Sequence, residues 1–293
     1  MVMRYGYATV GLPTLAPDEA IEHAAAAGYA GLEWKVGEAL HAAGSSAEQF
    51  LLGNRTTIAL DDPAQGARIA RRSAAAGLAV IGVDPYVAVG DVTTLDLALA
   101  VAEAADAPQV RLQGPRFGAD GAGYRQLFAR FLEFLSVAEQ RAHRRGIRLV
   151  VEIHQQTMFS SAALVHRLVT YFDPAHIGVI YDVGNLVVEG YEDHRIGTEL
   201  LGPYLHHVHL KNALHRPSAG PGPVRVHRPV WSPLDEGEVD VLGVLAHLDT
   251  IGYQGWVTIE DFSTQRTPLA TLRHNADVLR ACNAPGWLDR EEV

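Results

Sequence analysis

Short runs of β-branched and aliphatic residues alternate with amphipathic stretches along the whole chain, and this cadence predicts eight strand–helix units. The apolar runs fall at 5–10, 31–36, 78–83, 109–113, 146–154, 177–182, 205–211 and 255–260. Between them the pattern predicts helices at 18–27, 61–76, 93–106, 122–145, 160–172, 192–202, 239–250 and 268–281. The longest shows the spacing most plainly, with Leu127, Phe131, Phe134, Leu135 and Ala138 on one face and Gly146 as its stop. Two connections are long. Residues 37–58 carry Gly and Ser and read as a short helix or flap; residues 212–238, rich in Pro, Gly, Arg and His, read as an irregular lid.

Eight such units predict a closed parallel barrel, a single (β/α)8 domain over 1–293. A doubly wound open sheet is the structural alternative. It would carry a glycine-rich phosphate turn after the first strand, and none is present. The chain has 293 residues, 48% of them hydrophobic, which is enough for a full core. A net charge of −10 argues against a nucleic-acid partner, because phosphate binding relies on clustered Lys and Arg. One cysteine, Cys282, makes no intrachain disulfide and fits a reducing compartment. The N-terminal residues lack the basic and apolar regions of a signal peptide, and no apolar run reaches membrane-spanning length. The expectation is a cytoplasmic protein with a small-molecule substrate, free to form a homo-oligomer.

Chemistry is concentrated at the strand ends. The run 146–154 is a buried strand interrupted near its end by Glu152 and His154, which share a face. Three later strands also end in a residue able to bind a hard cation: Asp182, His209 and Glu260. A buried carboxylate must be paired, neutralised or metal-bound, and Glu152, Asp182, His209 and Glu260 make an oxygen/nitrogen set suited to Mn, Mg or Co, with Zn a further candidate. Each residue taken singly has a bland reading. Asp182 and Glu260 could be helix caps, and His209 a satisfied core histidine; the four strand ends together favour one divalent ion. His154 is a candidate base, and Lys211 a candidate oxyanion stabiliser or a partner for an acid. Arg111 could grip an anionic or hydroxyl group, and Gln113 shares its face. His207 shares a face with His209, Phe262 with Glu260, and Arg216 and Arg228 are the lid's candidates for substrate contact, alongside His215, Arg225 and His227. His206, one residue out of phase, is expected to face the outer helices.

These residues resemble the xylose-isomerase-like barrels, from Ala27-Gly28-Tyr29-Ala30-Gly31-Leu32-Glu33-Trp34 through to Gly252-Tyr253-Gln254-Gly255-Trp256-Val257-Thr258-Ile259-Glu260. That group includes sugar isomerases and epimerases, inosose and 3-dehydroshikimate dehydratases, and an apurinic endonuclease branch. The resemblance implies one divalent metal on Glu152, Asp182, His209 and Glu260. Two positions depart from it: Asn185 stands where a histidine is frequent, and Asn212 where an aspartate follows the lysine. The second, third and fourth strands show no set matching the endonuclease branch's extra zinc ligands. The implied activity is a metal-dependent sugar isomerase or epimerase, with Glu152 and Glu260 moving protons through a metal-bound enediolate. A β-eliminating lyase, acting on a keto-polyol or 3-keto-glycoside with His154 as base, follows closely; Glu152-x-His154, His209-x-Lys211 and Glu260-x-Phe262 resemble the dehydratase branch. The third reading is a non-catalytic sugar-binding barrel subunit.

Overall fold

The computed structural model describes residues 3–37, 50, 53–118, 121–190 and 192–287. Eight parallel strands close on themselves: β1 (Arg4–Ala8), β2 (Gly31–Gly37), β4 (Ala79–Asp84), β5 (Gln109–Gln113), β6 (Arg148–Glu152), β7 (Ile177–Asp182), β8 (Leu205–Leu210) and β11 (Trp256–Ile259). Pairing of β1 with both β2 and β11 completes the ring. The architecture is a (β/α)8 barrel, as the alternation predicts. A two-residue strand, β3 (Ile58–Ala59), adds to β2 in the long connection after it; residues 38–49 and 51–52 of that connection, where a flap was expected, lie outside the described residues.

Alternation along the strands makes two environments. Leu149 and Val151, Val179 and Tyr181, Val208 and Leu210, and Val257 and Ile259 belong to the large outer core beneath the helices. That core also takes one face of helices α1 (Pro17–Ala27), α2 (Pro63–Ala75), α3 (Val92–Ala104) and α4 (Tyr124–His143). In α4 the buried side chains include Leu127, Phe131, Phe134, Leu135 and Ala138, the face predicted from spacing. Inside the barrel, a small separate cluster of Ala30, Ile81 and Trp256 plugs its lower part. Gly31 is required there: a Cβ would come within 2.8 Å of the Ala79 carbonyl oxygen, a backbone atom with little room to move.

The remaining helices are α5 (Ala162–Val169), α6 (Val183–Glu189), α7 (His194–Leu201), α8 (Val241–Thr250) and α9 (Pro268–Ala281). Helix α6 is absent from the predicted elements. Its apolar residues follow β7 without a break, so periodicity alone cannot separate the two; Asp182 makes the division by accepting the Asn185 amide at 2.9 Å.

The stretch 212–238 corrects the expected irregular lid. It holds an antiparallel hairpin, β9 (Asn212–Ala219) and β10 (Arg225–Ser232), paired in unbroken register from Asn212↔Ser232 to Ala219↔Arg225. Its base is fastened by Asn212, whose Nδ2 donates to the Leu234 carbonyl at 2.9 Å and whose Oδ1 accepts the Val239 amide at 2.9 Å. The prolines and polar residues that made the segment look unstructured sit on an exposed two-stranded ribbon. No helix among the described residues is long and apolar enough to cross a membrane.

His206 is the second correction. Val179 pairs with Leu205 but Ile180 pairs with His207, so β8 carries one extra residue. The bulge brings His206 to the N-terminal mouth of the barrel rather than the outer helices, with Arg148 Nη1 2.6 Å from its Nδ1. Burial, then the Arg148 charge, holds the imidazole down to about 3. In the unfolded chain a histidine titrates near ~6.5, so there the unfolded state binds the extra proton. The stability tied to the neutral ring is therefore complete above that pH and is lost progressively as pH falls from there towards 3. Urea midpoints should drop between pH 6.5 and pH 4, and less steeply in His206→Gln; parallel curves for the two proteins would remove His206 as the cause.

Candidate active site

Charged side chains rise from most of the barrel strands to the mouth at their C-terminal ends. Strand β2 supplies Glu33 and Lys35, β4 supplies Asp84, β5 supplies Arg111, and β6 and β7 end in Glu152 and Asp182. His209 lies in β8, Lys211 follows that strand, and Glu260 follows β11. All nine are buried. They underlie a cavity of about 470 Å³, whose wall also includes His154, Gln113, Trp231 and Phe262.

Glu152, Asp182, His209 and Glu260 converge so that one ligand atom from each lies within 4.8 Å of the others. His209 Nδ1 faces the group, 3.5 Å from Glu152 Oε1, 3.7 Å from Asp182 Oδ2 and 3.9 Å from Glu260 Oε2. That nitrogen has no hydrogen-bond partner among the described residues. The other ring nitrogen, Nε2, is 2.9 Å from Glu33 Oε2. A carboxylate behind the ring and a free nitrogen in front is the arrangement by which proteins orient a metal-binding imidazole. Asp182 divides its oxygens: Oδ1 caps α6, while Oδ2 accepts from Asn185 Nδ2 and lies 2.7 Å from Lys211 Nζ. The cap reading holds for Oδ1, and Oδ2 is left facing the group.

Charge balance explains the titration of the cluster. Among the described residues, five carboxylates (Glu33, Asp84, Glu152, Asp182, Glu260) face three basic side chains (Lys35, Arg111, Lys211) in this buried volume. Without another cation, the excess must be met by protons. Asp84 is pushed well above the usual carboxylate range by burial and then by the Glu33 charge. Burial works against a charged His209, but Glu33, Asp182 and Glu152 outweigh it and raise the imidazole well above its ordinary value. Burial likewise pushes Glu152 up, yet Arg111, with Nη1 at 2.5 Å, holds it well below the normal range. Lys35 is lowered to about 8 by burial and by Arg111. Protons on His209 and Asp84 thus occupy the charge that a divalent ion would supply, and the donor set fits such an ion: hard oxygens, one imidazole and no thiolate.

Of the residues expected at the site, Glu152, Glu260, His154, Lys211, Arg111, Gln113 and Phe262 line the cavity. Asn185 lies behind them, donating from Nδ2 to Asp182 Oδ2 at 2.7 Å and to the Ile153 carbonyl at 3.1 Å. His207 sits one layer deeper and is fully buried. Its ring nitrogens meet Gln109 Nε2 at 2.6 Å and Thr258 Oγ1 at 2.8 Å, so it supports the barrel interior instead of touching the cavity. Arg216 and Arg228 stand opposite one another on the hairpin, exposed and away from the cavity lining. Glu33, Lys35, Asp84, Tyr86 and Trp231 were not singled out from the sequence. For Glu33 and Lys35 a signal was present, since they alternate in an apolar strand as Glu152 and His154 do. Trp231 and Tyr86 reach the cavity through loop and hairpin geometry, which spacing does not encode.

The chain matches the xylose isomerase-like TIM barrel family over residues 21–282 and belongs to it. Among characterised relatives, an inosose dehydratase of Geobacillus thermodenitrificans is 25% identical over 174 residues, 55% of this chain and 56% of that protein. The chain spans about half the length, or less, of the curated relatives it matches. In fold it is similar to a 3-keto-D-glucoside 4-epimerase of E. coli, with a TM-score of 0.68 and 15% identity over 96% of this chain and 100% of that one. It is similar also to a probable 3-DHS dehydratase of Bacillus anthracis, with a TM-score of 0.70 and 15% identity over 95% and 99% of the two chains.

Two outcomes test the donor set. Binding of Mn²⁺ should release at least one proton, because His209 must give up its own; titration calorimetry in buffers of different ionisation enthalpy reads this directly. Affinity should keep rising with pH above neutrality, and an uptake independent of pH would take His209 out of the set. Glu33→Ala should weaken Mn²⁺ binding by about 10- to 100-fold with the circular-dichroism spectrum unchanged, by releasing the His209 ring.

Proposed function

We propose that the protein is a divalent-metal-dependent lyase that removes a proton next to the carbonyl of a polyhydroxy substrate and expels a β-substituent. The observation that carries this reading is the contrast between Glu152 and His154. Arg111 holds Glu152 ionised and occupied, which makes it a weak base. His154 lines the cavity with Nδ1 2.8 Å from the Gln155 carbonyl oxygen. A carbonyl only accepts, so Nδ1 carries a proton there and Nε2 is the ring nitrogen able to take one from a substrate.

Glu152, Asp182, His209 and Glu260 would hold the metal ion, which when bound would polarise a substrate carbonyl or hydroxyl oxygen as a Lewis acid. The other groups act on the substrate themselves. His154 takes the proton from the carbon beside the carbonyl. Lys35 and Arg111, both on the cavity wall, place positive charge where negative charge develops on oxygen. Lys211, anchored between Asp182 and Glu260, faces the oxygen that leaves. Because Arg111 and Lys211 are held by ion pairs, their field is set before the substrate arrives.

Proton return to the substrate, giving an epimer or isomer, is the second reading. It is favoured by one feature, the convergence of Glu152 and Glu260 in a single group, where two carboxylates can serve opposite faces of a carbon. The sequence placed this reading first; the Arg111 and Lys211 pairings shift the balance towards elimination.

Keto-inositol incubated with the Mn²⁺-loaded protein in deuterated water separates the two. Elimination gives a product lighter by one water, whereas epimerisation gives a product of unchanged skeleton carrying deuterium. His154→Asn should reduce turnover by about 10²- to 10⁴-fold while Mn²⁺ binding persists. A near-normal rate in that variant would exclude His154 as the base.

A further inference from the structure

The cavity has two unlike halves. One is the charged floor described above. The other is made of Val10, Phe50, Val230, Trp231 and Phe262. Phe50 and Phe262 meet edge to face at 5.2 Å, and Trp231 meets Phe262 at 5.8 Å. Val230 remains 39% exposed on the hairpin. Among these five described residues, the Trp231 indole nitrogen is the one side-chain hydrogen-bonding group. A free polyol presents a hydroxyl on nearly every carbon, and each one set against this wall would lose its water without gaining a partner.

Size points the same way. At about 470 Å³ the cavity lies in the range that encloses drug-sized ligands, about 300–1,000 Å³, rather than a bare six-carbon ring. Position narrows the class further. Lys211 Nζ lies 5.0 Å from the Trp231 ring centre and 5.2 Å from that of Phe262, while pairing with Asp182 and Glu260. The aromatic wall therefore begins next to the reacting end of the site. An apolar group resting on it would be joined directly to the sugar ring, close to the bond that breaks.

We infer that this wall is a subsite for an aromatic ring carried on the sugar as its leaving group, so that the substrate is an aryl glycoside of a keto sugar. This rests on the lyase reading for its chemistry. His154 takes the proton beside the carbonyl, and a carbon–carbon double bond forms to the neighbouring carbon. The bond from that carbon to the aryl oxygen breaks, its electron pair goes to the oxygen, and the phenolate leaves beside Lys211 and is protonated by water. No net oxidation occurs, so the substrate's carbonyl has to be made beforehand by dehydrogenation of a sugar hydroxyl.

The subsite is tested with unreactive probes. Phenyl β-glucoside, methyl β-glucoside and myo-inositol are titrated calorimetrically into the Mn²⁺-loaded protein. The phenyl glucoside should bind at least about tenfold more tightly than the methyl glucoside, and Trp231→Ala should bring that ratio close to one. Phenyl and methyl glucosides binding within twofold of each other in the unaltered protein would overturn the subsite, a comparison that needs no variant to fold. Should Trp231→Ala prove unstable, Trp231→Leu serves, and an undiminished ratio there would equally remove Trp231 from it. Keto-inositol dehydration, which involves no aryl group, reports on the reaction separately. Dehydration without phenyl preference sinks the subsite alone, and phenyl preference without any elimination sinks the lyase reading and with it the leaving-group role.

Discussion

Burial of several carboxylates at one end of the barrel is the constraint around which the rest is arranged. Each such charge is costly in a low-dielectric interior unless compensated, and removing one member of a buried pair typically costs about 3–5 kcal/mol. The strands therefore carry their compensation with them. Arg111 of β5 reaches Glu152 of β6, Lys211 spans Asp182 and Glu260, and His209 is braced by Glu33 from across the barrel. Such a network can form only where neighbouring strands end at matching heights, which the parallel pairing of Asp182 with His209 and Gln113 with Glu152 provides. Beneath the charged layer lie the hydrogen-bonded His207, Gln109 and Thr258 and the apolar plug of Ala30, Ile81 and Trp256.

Much of this was legible in the sequence because two periodicities were clean. Short apolar runs separated by amphipathic stretches fixed the barrel, and residues two apart on a strand share a face, which grouped Glu152 with His154 and His209 with Lys211. The same rule applied to Gly31-Leu32-Glu33-Trp34-Lys35 would have put Glu33 and Lys35 at the mouth as well. What failed did so for physical reasons. One inserted residue in β8 was enough to redirect His206, since a strand's two faces exchange with every residue. Helix α6 was hidden because a fully buried strand and a short buried helix have the same composition, and only the cap of Asp182 divides them.

The hairpin shows a different limit. Its residues are polar, proline-bearing and mostly exposed, a composition that reads as loop, yet its register is continuous over eight pairs. Ribbon pairing of this kind draws its order from backbone hydrogen bonds and not from a buried face, so hydrophobic patterning does not report it. Arg216 and Arg228 drew attention by charge, while Trp231 on the same ribbon reaches the cavity. Chemistry in the charged layer was readable from residue type; shape around it was not.

Asn212 and Ser232 are paired where the hairpin leaves the barrel, and the Asn212 amide ties both departing strands to the segment that follows. The ribbon meets the scaffold at its base, along α6 and through Trp231 against Phe262, with no strand of the barrel threaded through it. Such an appendage is exchangeable in evolution and in the laboratory: recombination within 213–231 could rewrite which substituents are admitted while inheriting the ion-paired floor intact.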